Sequence, residues 1–296
     1  MYQQLGVIGC GLIGGSFALA MKKAKLVKKV VGYSKSPSTT ELAKKLGVID
    51  RIAESALLAV SGSDIVLIAV PVAATEDTFK AIRHLMKTDV LFMDVGSTKG
   101  SVVEAAKQAL GSKPNSFVPA HPIAGKESGG VQHADGTLFQ GRHVILTPMQ
   151  QTLEVQVQRA TDVWSALGAQ VLRMTPDNHD QAFAAVSHLP HLLAYAYFQS
   201  VASQQDGRDY LSLAGPGFRD FTRIAASEPA VWRDILMANA AEVLVQSQRF
   251  RQALDSLEAM IKSGDTLGLE ARIRQISEAR AQWQMNLPRV PGPPGK

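Results

Sequence analysis

The sequence predicts an α/β protein: a doubly wound sheet domain over residues 1–173, an all-helical domain over 174–287, and a disordered tail over 288–296. Three observations carry this. The chain opens on a strand, a glycine-rich turn and a helix. Short apolar runs then alternate with helix-patterned stretches, the signature of a sheet wound by crossover helices. After Met174 the strand patterns stop and helix follows helix to Met285. A length of 296 residues suits two domains of ordinary size.

Leu5, Val7 and Ile8 suit a buried strand, and Ile13, Phe17, Ala20, Met21 and Ala24 recur at helical intervals. Between them Gly9, Gly11 and Gly14 fall on a G-x-G-x-x-G spacing. In that context the motif reads as a dinucleotide-binding, Rossmann-type turn. Gly9 permits the turn, Gly11 lets backbone approach a pyrophosphate, and Gly14 lets helix pack on strand. Leu12 and Ile13 bring first-turn N–H groups to the phosphates.

Val30–Tyr33 reads as the second strand, Ser34–Thr40 as a polar turn, and Glu41–Leu46 as a helix ended by Gly47. A short helix is expected over Ala53–Val60. Ile65–Ala69 is a continuous apolar run, as in a parallel strand buried on both faces, and Pro71 stops it. Val70, at its end, is expected beside the cofactor. Helices over Thr75–Met86, Lys99–Leu110 and Leu153–Leu167 alternate with strands over Val90–Met93, Phe117–Ala120, Val144–Leu146 and Gln170–Leu172. In the helical half, Thr175-Pro176-Asp177 is a start signal. Phe183, Val186, Leu189 and Leu193 line one helix, in which Pro190 predicts a kink. Val231–Ile261 reads as one long central helix, with apolar surface to pair across a symmetric homodimer.

The net charge of +5 owes much to Lys22, Lys23, Lys25, Lys28 and Lys29, at the end of the first helix and the start of the next strand. Without aromatic interleaving or a reading module, this is not a nucleic-acid footprint. No run is long and apolar enough to span a bilayer, no secretory leader is evident, and the cytoplasm is the expected location. A single cysteine, Cys10, excludes an intrachain disulfide and reads as a small space-filling side chain in the glycine loop.

Ligands of a doubly wound sheet lie beyond the carboxyl ends of its strands. Two stretches fall there, Asp94-Val95-Gly96-Ser97-Thr98-Lys99-Gly100 and His121-Pro122-Ile123-Ala124-Gly125-Lys126-Glu127-Ser128-Gly129. A neutral His121 at a strand end can take a proton near neutral pH; loop hydrogen bonding is the plainer reading. Ser97 and Lys99 by themselves could simply start a helix. Ser187-His188-Leu189-Pro190-His191 sets two imidazoles at i and i+3, fitting a helix-core pair better than a zinc site. In Gly215–Ala225, Arg219, Asp220 and Arg223 suit either carboxylate recognition or a surface ion-pair cluster. The second strand ends Tyr33-Ser34-Lys35-Ser36, with no carboxylate before Glu41. An acid there would bind a ribose 2′-hydroxyl. Its absence, with two hydroxyls and an ammonium in its place, favours NADP over NAD, although NAD remains usable.

With these stretches in this order, the chain resembles the prephenate dehydrogenases and their arogenate- and cyclohexadienyl-using relatives, from the glycine loop to about Trp283. The resemblance implies a nucleotide-binding domain, a helical dimerisation domain and an active site between them. It implies oxidative decarboxylation on the route to tyrosine, with a small-molecule substrate, a nicotinamide cofactor and no metal. By resemblance His121 is the base on the ring hydroxyl, and Ser97 bonds the reacting centre and orients that imidazole. Arg223 matches a carboxylate-binding arginine, His188 and His191 match polar wall residues, and Lys99 falls among the substrate contacts. Glu127 and Asp220 match acidic residues beside the arginine. A β-hydroxyacid dehydrogenase or imine reductase is the alternative enzyme, and a non-catalytic dinucleotide sensor the alternative class.

Overall fold

A computed structural model of the chain describes residues 1–111, 115–126 and 128–284. It divides into two compact units, Met1–Glu242 and Val243 onward. The first contains the strands β1 (Tyr2–Ile8), β2 (Val27–Tyr33), β3 (Arg51–Ile52), β4 (Ile65–Ile68), β5 (Leu91–Asp94), β6 (Phe117–Val118), β7 (Ala120–Pro122), β8 (His143–Leu146) and β9 (Gln170–Arg173). Between them lie α1 (Leu12–Lys23), α2 (Pro37–Lys45), α3 (Ala56–Val60), α4 (Thr75–Ile82), α5 (Gly100–Leu110) and α6 (Glu154–Ala166). After β9 come α7 (Pro176–Phe183), α8 (Leu189–Ala202), α9 (Gly207–Ser212), α10 (Pro216–Thr222) and α11 (Pro229–Ala238). The start of α12 (Ala240–Ser263) completes this unit; the rest of α12 and α13 (Thr266–Gln282) form the other.

β1 to β6 form a parallel sheet in the order β3-β2-β1-β4-β5-β6. Its strand order reverses between β1 and β4, and the glycine turn leaves β1 at that switch point. Alternate residues bury on opposite faces. Leu5, Val7, Ile65 and Leu67 join Phe17 and Trp164 in one core; Ile8, Val66, Ile68 and Phe92 join Phe79 and Phe117 in the other. Aromatic edges lock both, with Phe17 on Trp164 and Phe79 on Phe117, each at 4.9 Å between ring centroids.

Several expectations are corrected. The run Phe117–Ala120 is not one strand: β6 ends the parallel sheet, and β7 starts a separate three-stranded sheet, β7-β8-β9. β7 runs antiparallel to β8, with His121 opposite Ile145, so His121 lies within a strand rather than after one. The polar turn at Ser34–Thr40 closes early, because Pro37 occupies the first turn of α2. The short β3 is not among the predicted strands; it precedes α3, which Ser55 caps by accepting from the Leu58 N–H.

At Pro190 the helix winds as a single π turn, Ala184–His188, before α8. A proline without an N–H leaves an upstream carbonyl unclaimed and disturbs the ladder there. The single helix expected over Val231–Ile261 is broken at Asn239 (φ −118°, ψ 29°) into α11 and α12. Only Val243 and Ser247 of α12 are buried within one chain, whereas Leu244, Phe250 and Ile261 are exposed. No helix among the described residues is long and apolar enough to cross a membrane. The expected tail at 288–296 lies outside the described residues.

Candidate active site

The glycine turn has the geometry a dinucleotide needs. Gly9 sits at φ +96°, and a Cβ there would come 2.2 Å from the Ala69 carbonyl oxygen. A Cβ on Gly14 would meet the Gly9 oxygen at 2.0 Å, so only glycine lets α1 approach so closely. At Gly11 a Cβ would meet nothing within 4 Å, so the backbone at the first turn of α1 is open to a phosphate group. Leu12 and Ile13 lie half-buried in that turn, and Val70 lies half-buried just past β4. Ser34 Oγ accepts from the Cys10 N–H at 2.8 Å, coupling the end of β2 to the loop; Lys35 and Ser36 are exposed beside it. Burial pushes the Cys10 thiol up to about 11, so it stays protonated and fills space.

The loops after β5 and β6 are organised by charges buried among them. Lys99 is fully buried at the N-terminal end of α5. Its Nζ donates to Asp94 Oδ2 at 2.5 Å and to the Ala120 carbonyl at 2.7 Å. Asp94 accepts in turn from the Ala120 N–H at 3.0 Å and the Gly96 N–H at 2.7 Å. Both backbone groups of the residue before His121 are thereby clamped, as is the turn that carries Ser97. Lys99 is thus no substrate contact in this structure. Burial lowers its pKa, and the Asp94 carboxylate beside it works in the opposite direction.

His121 is nearly buried, and its Nδ1 lies 2.8 Å from His179 Nε2. His179 Nδ1 lies 2.7 Å from Asp180 Oδ1. Asp180 also accepts from the Lys99 and Gly100 N–H groups, both at 2.8 Å, at the start of α5. Phe183 stacks on His179 at 4.4 Å and tilts against His121 at 4.8 Å between centroids. Burial, followed by the neighbouring His179, Lys99 and His188, holds His121 well below the usual histidine range. It is therefore neutral at physiological pH. The partner of His121 is His179, where Ser97 was expected; Ser97 is half-buried in its loop. His188, expected in the pocket wall, is buried, and Asn239 Nδ2 joins its Nδ1 (3.1 Å) to the Asp180 carbonyl (2.8 Å). Burial lowers His188 to about 4.

The loop after β7 walls a cavity of about 600 Å³, lined by Lys126, Ser128, His133, His191, Arg223 and Ser227 among others. His191 donates from Nδ1 to the Ser187 carbonyl at 3.0 Å and stacks on Trp232. Burial lowers the His191 pKa. Asp220 does not line this cavity; it pairs with Arg219 at 3.1 Å, both side chains exposed. Glu127 lies outside the described residues. The sequence reading missed Asp94, His179, Asp180 and Asn239. The one signal for the middle pair was the polar run Asp177-Asn178-His179-Asp180 in the first turns of α7, where acidic residues ordinarily complement the helix dipole. Among the described residues no three His, Cys, Asp or Glu side chains converge to hold a metal ion.

A glycine turn at a switch point, with a neutral buried imidazole on a nearby strand, defines the class of dinucleotide-dependent dehydrogenases. Comparison with known proteins narrows this. Residues 17–173 match the prephenate dehydrogenase nucleotide-binding domain, and 175–275 match the prephenate dehydrogenase dimerization domain. The prephenate dehydrogenase of Bacillus subtilis is 36% identical, covering 88% of this chain and 71% of that protein. The cyclohexadienyl dehydrogenase of Zymomonas mobilis is 34% identical, covering 95% and 96%. A crystal structure of prephenate dehydrogenase from Aquifex aeolicus, with hydroxyphenyl propionate and NAD+, superposes with a TM-score of 0.89 at 32% identity, covering 95% of this chain and 98% of that one. The chain belongs to the prephenate dehydrogenase family.

Proposed function

We propose that the chain catalyses oxidative decarboxylation of prephenate, arogenate or both, with hydride transfer to a nicotinamide dinucleotide, in tyrosine biosynthesis. The observation that carries this reading is His121, a neutral imidazole held at Nδ1 on a strand whose following loop walls a cavity lined by His191 and Arg223. The names of the Bacillus subtilis and Zymomonas mobilis relatives, and the ligands of the Aquifex aeolicus protein, support it. The division near Arg173 is read as nucleotide domain before, substrate and dimerisation domain after, with a cytoplasmic location.

The substrate ring bears a hydroxyl on C4 and a carboxylate on C1. A bound nicotinamide would supply the acceptor for the hydride that leaves C4. His121 takes the hydroxyl proton as the C4 carbonyl forms. The C1–carboxylate bond then breaks, carbon dioxide leaves, and the bond's electron pair enters the ring. The C4 oxygen recovers its proton from the imidazolium as the ring becomes aromatic. Because aromatisation is downhill, positioning and one base suffice. Arg223 holds a substrate carboxylate, His191 contacts the substrate, and the Ser97 hydroxyl bonds the reacting centre. His121→Asn is expected to lower kcat by roughly 100-fold or more with substrate binding retained. The acid limb of native kcat, lying below the ordinary histidine pKa of 6.5, should vanish with it. Near-normal kcat in this variant would remove His121 from the role.

Homodimerisation is supported by the exposed Leu244, Phe250, Leu254 and Ile261 of α12, together with the name of the matched C-terminal domain. Light scattering at micromolar concentration should give twice the chain mass of 31.8 kDa, and a monomer would contradict it.

NADP is the preferred cofactor in this reading, since Ser34, Lys35 and Ser36 can meet a 2′-phosphate that no nearby carboxylate repels. A charge-assisted hydrogen bond is worth about 1.5–3 kcal/mol, roughly ten- to a hundred-fold. In the double variant Ser34→Asp, Lys35→Ala the new carboxylate can still accept from the Cys10 N–H. The ratio of kcat/KM for NADP over NAD should exceed one in the native protein and fall at least tenfold in the variant. Native preference for NAD, or an unmoved ratio, would refute it.

A further inference from the structure

We propose that His179 and Asp180 are positioning residues that fix His121 in the tautomer with Nδ1 protonated and Nε2 bare. The proposal rests on the reading of His121 as the base. Asp180 accepts from the Lys99 and Gly100 N–H groups at the N-terminal end of α5, which favours its charged form. Burial opposes this, but the hydrogen bonds from His179, Lys99 and Gly100 leave the carboxyl below its usual value. A carboxylate only accepts, so neutral His179 must present Nδ1–H to it and keep a bare Nε2. That Nε2 is 2.8 Å from His121 Nδ1 and can only accept, so His121 carries its proton there. Nε2 of His121 is then the one nitrogen with a free lone pair.

Two features make the assignment one-sided. Phe183 packs on both rings, stacked on His179 and tilted against His121. The other charged or titratable groups near the pair have separate partners. Lys99 is spent on Asp94 and Ala120, Asp94 on Lys99 and two backbone amides, and His188 on Asn239. When His121 accepts a proton, Asp180 is the counter-charge reached through His179, so the same pair that orients the base also stabilises its charged form.

The test combines spectroscopy with kinetics on the full chain. In protein labelled with ¹⁵N-histidine, the His121 signals are those lost in His121→Asn. They should report protonated Nδ1 and bare Nε2. His179→Phe keeps a ring against Phe183 but removes the acceptor. It should mix the His121 tautomers and lower kcat at least tenfold, with KM for prephenate and dinucleotide affinity within about twofold. His179→Gln, whose side-chain oxygen can accept from Nδ1–H, should restore part of that loss. A native His121 protonated on Nε2, or His179→Phe turning over within twofold of native, overturns the proposal while an inactive His121→Asn leaves the base reading standing. Full turnover by His121→Asn would instead overturn the base reading, and the proposal with it.

Discussion

The buried residue Lys99 joins three segments far apart in the chain. Through Nζ it neutralises Asp94 at the end of β5 and binds the Ala120 carbonyl in β7; through its backbone N–H it binds Asp180 in α7. An ammonium taken out of water costs several kcal/mol unless both its charge and its hydrogen-bonding protons are matched. Here it is matched only when β5, β7 and the start of α5 are in register. The geometry of His121 is the by-product. Its neighbour Ala120 is clamped at both backbone groups, and the ring is steered by the next pair along, His179 and Asp180.

The parts of the fold written in local pattern were readable. Leu5-Gly6-Val7-Ile8 and Ile65-Val66-Leu67-Ile68 alternate between two cores, and the glycine spacing told which of them opens the nucleotide turn. Misread elements depended on distant partners. Phe117 to Ala120 looks like one apolar strand, yet Pro119 separates a residue pair bonded to β5 from one bonded to β8. The long helix after Val231 is interrupted because the Asn239 side chain is committed to Asp180 and His188, more than fifty residues upstream. Apolar positions on α12 read as a core helix, but Leu244, Phe250, Leu254 and Ile261 are exposed.

The site divides in the same way. His121, Ser97, Arg223 and the glycines stood out because their residue types are unusual at a strand end or a turn. His179 and Asp180 were hidden among ordinary first-turn residues of a helix. Lys99 was visible but misassigned, since a lysine in a ligand-side loop suggests a substrate anion and nothing local tells that it will be buried. His188 and His191 share a motif and divide between two jobs: one is buried against Asn239, the other stacks on Trp232 at the cavity.

In the proposed reaction this site couples hydride loss at C4 of a cyclohexadienyl substrate to loss of its C1 carboxylate. The most direct measurement follows reduced dinucleotide and carbon dioxide together, in the initial phase, with the purified chain, prephenate or arogenate, and either cofactor. One carbon dioxide and one aromatic product are expected for each dinucleotide reduced. Reduction without carbon dioxide, or no reduction with either substrate, would contradict it.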